Sequence, residues 1–378
     1  MYSLAEYGSM VADRVRMDAY TEALKRSVHP GCVVVDLGAG AGIMSLLAVQ
    51  LGAAKVYAID PSEGLELGRT LARANGMQDR IEFFNACSES VTLPERADVV
   101  VSDIRGVLPM IGENFRAIAD ARERFLKPGG IFIPQCDTLW AALVEEPVAH
   151  RDLTAGWDSE GLDLSAGRRM VLNSWKKLRV TPQQLVSEPG QWAQVDYRSV
   201  TSPHVAGTVH VPIQRPGTAH GLSLWFDTVL RDGVGFSNAP GQPKAIYGQA
   251  FFPLLEPVAV ECGDSVQIAI RADLASGNQT WTWNTCIRAP GGSIKTDQKQ
   301  SSFFGIPFSA GKLRRGADTF VPPSTEDALI DRAILNRFGS GCSLGQISVE
   351  VAARFPGRFT DWKAAFDRVA ALSVRYPG

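Results

Sequence analysis

Val33-Val34-Val35-Asp36-Leu37-Gly38-Ala39-Gly40-Ala41-Gly42-Ile43 is the stretch that decides the fold. An apolar run closed by a carboxylate reads as a strand buried on both faces. The glycines after it allow a tight turn whose backbone amides, with the N-terminus of the next helix, can meet a ligand at close range. A dinucleotide fingerprint wants G-x-G-x-x-G or A. Counted from Gly38 the sixth position is Ile43, and counted from Gly40 it is Ser45, so neither register fits. A pyrophosphate also gains nothing from Asp36 beside it, whereas a cationic group does. The plain alternative is a strand-to-helix turn with no ligand.

Outward from this turn the pattern repeats. Ile43 to Leu51 reads as a helix, and Lys55 to Asp60 as a strand again closed by an acid. Glu63 to Asn75 reads as a helix, Ile81 to Phe84 as a strand, and Ala97 to Asp103 as a strand ending in a third acid. Asn114 to Phe125 is helical, Lys127 to Gly130 turns, and Ile131 to Pro134 opens another strand. Strands alternating with helices predict a Rossmann-like α/β domain, a parallel sheet covered on both faces. Its ligands bind at the carboxyl ends of the strands, where strand order reverses. Asp36, Asp60 and Asp103 fall at such ends. Asp60 follows Gly42 by eighteen residues, the separation at which an acid accepts both hydroxyls of a nucleoside sugar.

After about Pro134 the texture changes to short alternating stretches with turn residues between them, among them His204 to Val211, Leu222 to Val229 and Gln279 to Ile287. These predict an all-β unit, sandwich or barrel. Trp281 and Trp283 share one strand face, with barrel core as the default reading. A polar interruption from His150 to Lys177 reads as an insertion with helical character. Ala317 to Pro323 reads as a linker, followed by helices at Ala328 to Phe338, Leu344 to Ala353 and Trp362 to Val374. Val11 to Ser27 has helical spacing ahead of the first strand.

Composition narrows the classes. The 378 residues suit two domains and a small third. With 38 basic and 40 acidic residues there is no overall field to gather nucleic acid or an anionic membrane, though local basic patches stay open. Cys32, Cys87, Cys136, Cys262, Cys286 and Cys342 show no C-x-x-C spacing, and the five histidines no ligand spacing, so no metal is expected. The first twenty residues lack the apolar segment of a secretory signal, and no apolar run is long enough to span a bilayer. The cytoplasm is the expected compartment.

The set Asp36-x-Gly38-x-Gly40-x-Gly42, Val56-Tyr57-Ala58-Ile59-Asp60 and Leu126-Lys127-Pro128-Gly129-Gly130 resembles the class I S-adenosylmethionine-dependent methyltransferases. Met10, Asp13 and Arg16, at the spacing of a cofactor-covering N-terminal helix, and Ser88-Glu89-Ser90 narrow the resemblance to the protein arginine methyltransferases. It covers roughly residues 1 to 320, strongly in the first 135. It implies S-adenosyl-L-methionine as cofactor, with Arg16 on the methionine carboxylate, Asp36 near the ammonium group and Gly38, Gly40 and Gly42 under the amino-acid end. Asp60 would take the ribose, and Ser88 and Glu89 would lie at the adenine. It implies domains at 1–135 (cofactor-binding, with the N-terminal helix) and 136–320 (β-barrel, with residues 150–178, including Gly156-Trp157, as a dimerisation arm). Residues 321–378 form a small helical module, similar to the winged-helix unit that recognises leader peptides in ribosomal peptide maturation. A helical cap or a dimer contact is the alternative for that module. A homodimer is expected.

The departures bear on the acceptor. The family places two glutamates after the fourth strand to hold a guanidinium. Here Asp103 replaces the first, and Glu113 lies one residue beyond the place of the second. Arg105 between them is a cation that repels a guanidinium unless it pairs with an acid. The family's Thr-His-Trp signature is replaced by Ala245-Ile246-Tyr247-Gly248-Gln249. Asp103 and Glu113 are the catalytic candidates, with a helix-start acid as the plain reading of Glu113. The expected function is methyl transfer to a nitrogen of a peptide, protein or natural product. The alternatives are a cofactor-binding pseudoenzyme or scaffold, or a methyltransferase acting on a non-arginine small molecule.

Overall fold

A computed structural model of the chain describes residues 2–110, 114–158, 161–275 and 277–376. It divides into two compact units, Met1–Pro307 and Phe308–Gly378. That cut falls ahead of the 320/321 division implied by the resemblance, with a short helix at Ala310–Arg315 in the second unit.

The first unit opens with helices α1 (Leu4–Ala12) and α2 (Arg14–Lys25). The single helix expected from Val11 to Ser27 is broken at Asp13. This residue leaves helical geometry, and its side chain accepts from the Arg16 amide, capping α2. Next come β1 (Val33–Leu37), α3 (Ile43–Gln50), β2 (Lys55–Ile59), α4 (Gly64–Ala74), β3 (Ile81–Phe84), β4 (Ala97–Ser102), α5 (Asn114–Arg124) and β5 (Leu126–Ile133). The strands form one parallel sheet in the order β3-β2-β1-β4-β5. Strand order therefore reverses between β1 and β4. Leu37 pairs with both Ile59 and Ser102, so Asp36, Asp60 and Asp103 emerge together at the carboxyl edge beside that reversal.

An antiparallel part follows. Its elements are β6 (Cys136–Val144), helices α6 (Pro147–Thr154) and α7 (Ser165–Leu172), β7 (Lys176–Leu178), β8 (Gly190–Asp196), β9 (Val205–Pro212), β10 (Gly217–Arg231) and β11 (Val234–Ser237). The last four strands are β12 (Gln249–Val260), β13 (Ser265–Ala275), β14 (Asn278–Arg288) and β15 (Ile294–Ser301). One sheet runs β7-β12-β10-β6-β8 with β11 on β10, and the other β15-β14-β13-β9. Trp281 and Trp283 lie on one strand face and both pack on Phe252, in the barrel core. One apolar core runs from the parallel sheet (Val35, Val100, Phe115) into the barrel (Leu139, Trp192, Tyr197, Phe252). The insertion expected at 150–178 contains most of α6 and all of α7.

The second unit holds α8 (Ala310–Arg315), α9 (Glu326–Leu335), α10 (Leu344–Arg354) and α11 (Trp362–Arg375). Thr325, Ser343 and Asp361 cap the last three. Those three enclose Ile330, Ile334, Ile347, Val351, Ala365 and Val369. Among its described residues there is no strand, so the β wing that a winged-helix likeness implies is missing. Among the described residues no helix is long and apolar enough to cross a membrane.

Candidate active site

The glycine turn has the geometry its sequence demands. Gly38, Gly40 and Gly42 all have left-handed φ, at 74°, 49° and 70°. A side chain on Gly38 would overlap Ile104, and one on Gly40 would meet the Tyr7 ring at 3.0 Å. Asp60 fastens the turn: one carboxylate oxygen accepts from the Gly40 amide (2.9 Å) and the other from the Ser62 amide (2.7 Å). Asp36 is buried, with one oxygen accepting from the amide (2.9 Å) and hydroxyl (2.6 Å) of Ser45 in the first turn of α3. Burial pushes its pKa up to about 6, against the pull of the Ser45 hydrogen bonds. Tyr7, Met10 and Val11 of α1 form the far wall of the crevice, and Arg16 and Asp103 close its end.

Asp103 is nearly enclosed, its side chain 7% exposed. The Arg16 Nε–H donates to one of its oxygens, Arg105 Nε–H to the other (3.3 Å), and the Tyr247 hydroxyl lies 2.8 and 2.7 Å from the two. Burial raises its pKa, but the charges of Arg16 and Arg105 and the Tyr247 hydrogen bond outweigh it and hold the carboxyl below its ordinary range. Burial disfavours charge on both guanidiniums too. Asp103 overcomes this for Arg16, and Asp137 foremost for Arg105.

Arg105 is the hub of a second layer. Its Nη1 donates to Asp137 (2.8 Å) and to the Thr228 hydroxyl (2.6 Å), and its Nη2 to the Tyr20 hydroxyl (2.7 Å), which donates onward to the Ser102 carbonyl (2.9 Å). The Tyr197 hydroxyl donates to the other oxygen of Asp137 (2.6 Å). The Arg105 guanidinium also faces the rings of Phe226 (5.3 Å) and Phe236 (5.5 Å). Two guanidiniums and two carboxylates thus balance in a buried network where each charge has a partner.

Set against the sequence, the crevice brings together Arg16, Asp36, Gly38, Gly40 and Asp103, with Asp60 bound to its turn. Arg16 meets Asp103 here, where the resemblance implied a ligand carboxylate. Ser88 and Glu89 lie in a one-turn helix after β3. Ser88 is buried, its carbonyl accepting from Arg124 (2.6 Å), while Glu89 is exposed and accepts from the Ser88 hydroxyl (3.3 Å). Glu113 lies outside the described residues. Arg105 satisfies the condition attached to it, pairing with both Asp103 and Asp137. Asp137, Tyr20 and Thr228 carried no local sequence signal. Tyr247 did carry one, standing in the segment that replaces Thr-His-Trp; there the Ile246 amide also donates to Asp13 (2.7 Å).

These residues fit an aminoacyl nucleoside sulfonium. The turn presents main chain without side chains, with Ile104 and Tyr7 packed where Cβ atoms of Gly38 and Gly40 would stand, while Asp36 suits an ammonium group, Arg16 a carboxylate and Asp60 a pair of hydroxyls.

Comparison with known proteins agrees. Residues 135–281 match a family model described as the arginine methyltransferase oligomerization subdomain, and residues 19–135 match one described as ribosomal protein L11 methyltransferase. Protein arginine N-methyltransferase 6 of Xenopus tropicalis is 30% identical over 267 residues, covering 67% of this chain and 78% of the relative. Protein arginine N-methyltransferase PRMT10 of Oryza sativa subsp. japonica is 31% identical over 299 residues, covering 69% and 78%. The crystal structure of Arabidopsis thaliana protein arginine methyltransferase 10 shares the fold, with a TM-score of 0.71 at 23% identity over 79% of this chain and 98% of that one. The Trypanosoma brucei PRMT1 enzyme-prozyme complex with AdoHcy gives 0.72 at 21% identity, with the same coverage. With a Rossmann-like sheet, an antiparallel barrel and relatives at this level, the chain belongs to the protein arginine N-methyltransferase family and is an S-adenosylmethionine-dependent methyltransferase.

Proposed function

We propose that the chain methylates a nitrogen of a peptide or protein, with Asp103 as the residue that orients the acceptor. S-adenosylmethionine supplies an electrophilic methyl group bound to sulfur. An acceptor nitrogen must then present its lone pair in line, which is a positioning task. The observation that carries this reading is a carboxylate at the end of the crevice, fixed from two sides by Arg16 and Tyr247. With its pKa below the ordinary range, Asp103 orients an N–H as an anionic acceptor and is a poor base, so the proton leaves to water. Tyr247 and Arg105 position Asp103. Arg16, Asp36, Gly38, Gly40, Gly42, Asp60, Ser88 and Glu89 hold the cofactor, and Glu113 assists at the acceptor.

A specific observation favours an uncharged acceptor over a guanidinium. Asp103 and Asp137 already balance Arg16 and Arg105, so a further cation arriving there meets no uncompensated negative charge and gains little. Residues 1–135 act as the cofactor domain, 136–320 as the barrel and 321–378 as a separate module. The chain pairs as a homodimer through the arm at 150–178, a reading supported by the oligomerization-subdomain match and by exposed Trp157 and Leu162. Six free cysteines suit the reducing cytoplasm.

The test is transfer of labelled methyl from the cofactor to peptides carrying arginine, lysine, histidine or a free amine. Label on a peptide nitrogen is expected, with Asp103→Asn lowering turnover by about 100-fold through lost positioning. Cofactor binding with no transfer to any acceptor would leave a scaffold instead.

A further inference from the structure

We propose that a cleft at the opposite edge of the parallel sheet binds an acidic stretch of polypeptide. This cleft of about 670 Å³ is walled by the start of β5 (Leu126 to Phe132), by Arg96 just ahead of β4, by Arg122 of α5 and by barrel residues Arg198, Arg231 and Asp232. Its lining runs along β5 from Leu126 to Phe132 and on to Gln135, and shares no residue with the glycine crevice.

Five cations line the cleft, Arg96, Arg122, Lys127, Arg198 and Arg231, against one acid, Asp232. Lys127 is paired with Asp98 (2.8 Å) and Arg198 with Asp196 (2.8 Å). Among the described residues Arg96, Arg122 and Arg231 make no ion pair within 4.0 Å; Arg96 and Arg122 donate to backbone carbonyls, and the charge of Arg122 helps to lower the pKa of Asp196. So local a cationic excess, in a chain whose formal charge is −2, calls for an anionic ligand. Four of the five are arginines, whose planar forks match carboxylates.

A second, independent feature favours an extended peptide. β5 is an edge strand, and no strand pairs with its far side among the described residues. Its regular ladder is Ile131–Ile133, because residues 127–130 bulge out between Leu126 and Ile131 and Gly129 has a left-handed φ of 76°. An extended segment can lie along such an edge while its carboxylates reach the arginines. A nucleic acid is less suited, because the one aromatic residue of the lining, Phe132, is 3% exposed and offers no stacking face. If the methyl-transfer reading holds, this cleft selects acceptors carrying an acidic stretch outside the modified segment.

The experiment measures binding of a fluorescein-labelled peptide of alternating glutamate and glycine to the full chain without cofactor, at about 50 mM salt. Its outcome therefore does not depend on methyl transfer. Saturable binding is expected, weakened about tenfold by Arg198→Glu combined with Arg231→Glu and about threefold by Arg231→Gln alone. Lys299→Glu, an exposed charge change on β15, should leave affinity within about twofold. Unchanged thermal unfolding of the variants shows that the fold persists. Absence of binding, equal loss in Lys299→Glu, or tighter binding of a single-stranded oligonucleotide overturns the proposal.

Discussion

The Tyr247 hydroxyl lies within hydrogen-bond reach of both carboxylate oxygens of Asp103, which stands 144 residues earlier in the chain. Its ring stacks on Phe236 and meets Phe226 edge-on, so the phenol is held rigidly. Tyr247→Phe keeps that packing and removes one donor from a buried anion. The expected cost is about 1.5–3 kcal/mol in chemical denaturation. Turnover should fall while cofactor affinity stays within about twofold; an equal loss in both would take Tyr247 out of a positioning role.

Asp103 itself gives a pH signature. Its pKa is lower in the folded chain than in the unfolded one, so its stabilising contribution is present above the ordinary aspartate range and is lost as pH falls through the folded value. The stability gap between the wild type and Asp103→Asn should therefore be full at neutral pH and shrink below about pH 3.8. A gap that does not vary with pH would mean that Asp103 titrates normally.

Arg105 matters for the fold before it matters for chemistry. Arg105→Met strands Asp137, which is 0% exposed, and removes one of two counterions from Asp103. A loss of about 3–5 kcal/mol is expected. Adding Asp137→Asn should recover part of it, and urea unfolding of the four proteins in a double-mutant cycle reads the coupling. Strictly additive losses would show that the pair is not coupled.

Much of this was legible in the sequence. Strands from Val33, Lys55 and Ala97 announced themselves because two-sided burial demands continuous apolar runs, and the glycines because left-handed turns exclude side chains. The network around Arg105 was not legible in the same way. Its members come from α2, the loop after β4, and strands β6 and β10, and no local pattern encodes which of them meet. The break at Asp13 was hidden by helical spacing that continues across it. The pairing of Arg16 with Asp103 is a tertiary event between residues 87 positions apart, which no local pattern encodes.

Asp60→Ala removes the acceptor for the Gly40 and Ser62 amides and should weaken cofactor binding by about 1.5–3 kcal/mol. Calorimetry measures this, and unchanged affinity would remove the ribose from Asp60. Asp36 adds a pH dependence. With a pKa of about 6 it is largely protonated below that value, and an ammonium group beside it favours the charged form. Cofactor affinity should rise between about pH 5 and 7, with proton release on binding, and Asp36→Asn should flatten the profile. A rise that persists in Asp36→Asn assigns the proton to another group.

The most direct test is a crystal structure of the chain with S-adenosylhomocysteine. The account predicts the amino-acid end over Gly38 to Gly42, the ribose hydroxyls on Asp60, and the α-carboxylate at Arg16. Ligand bound elsewhere, or no binding at all, would contradict it.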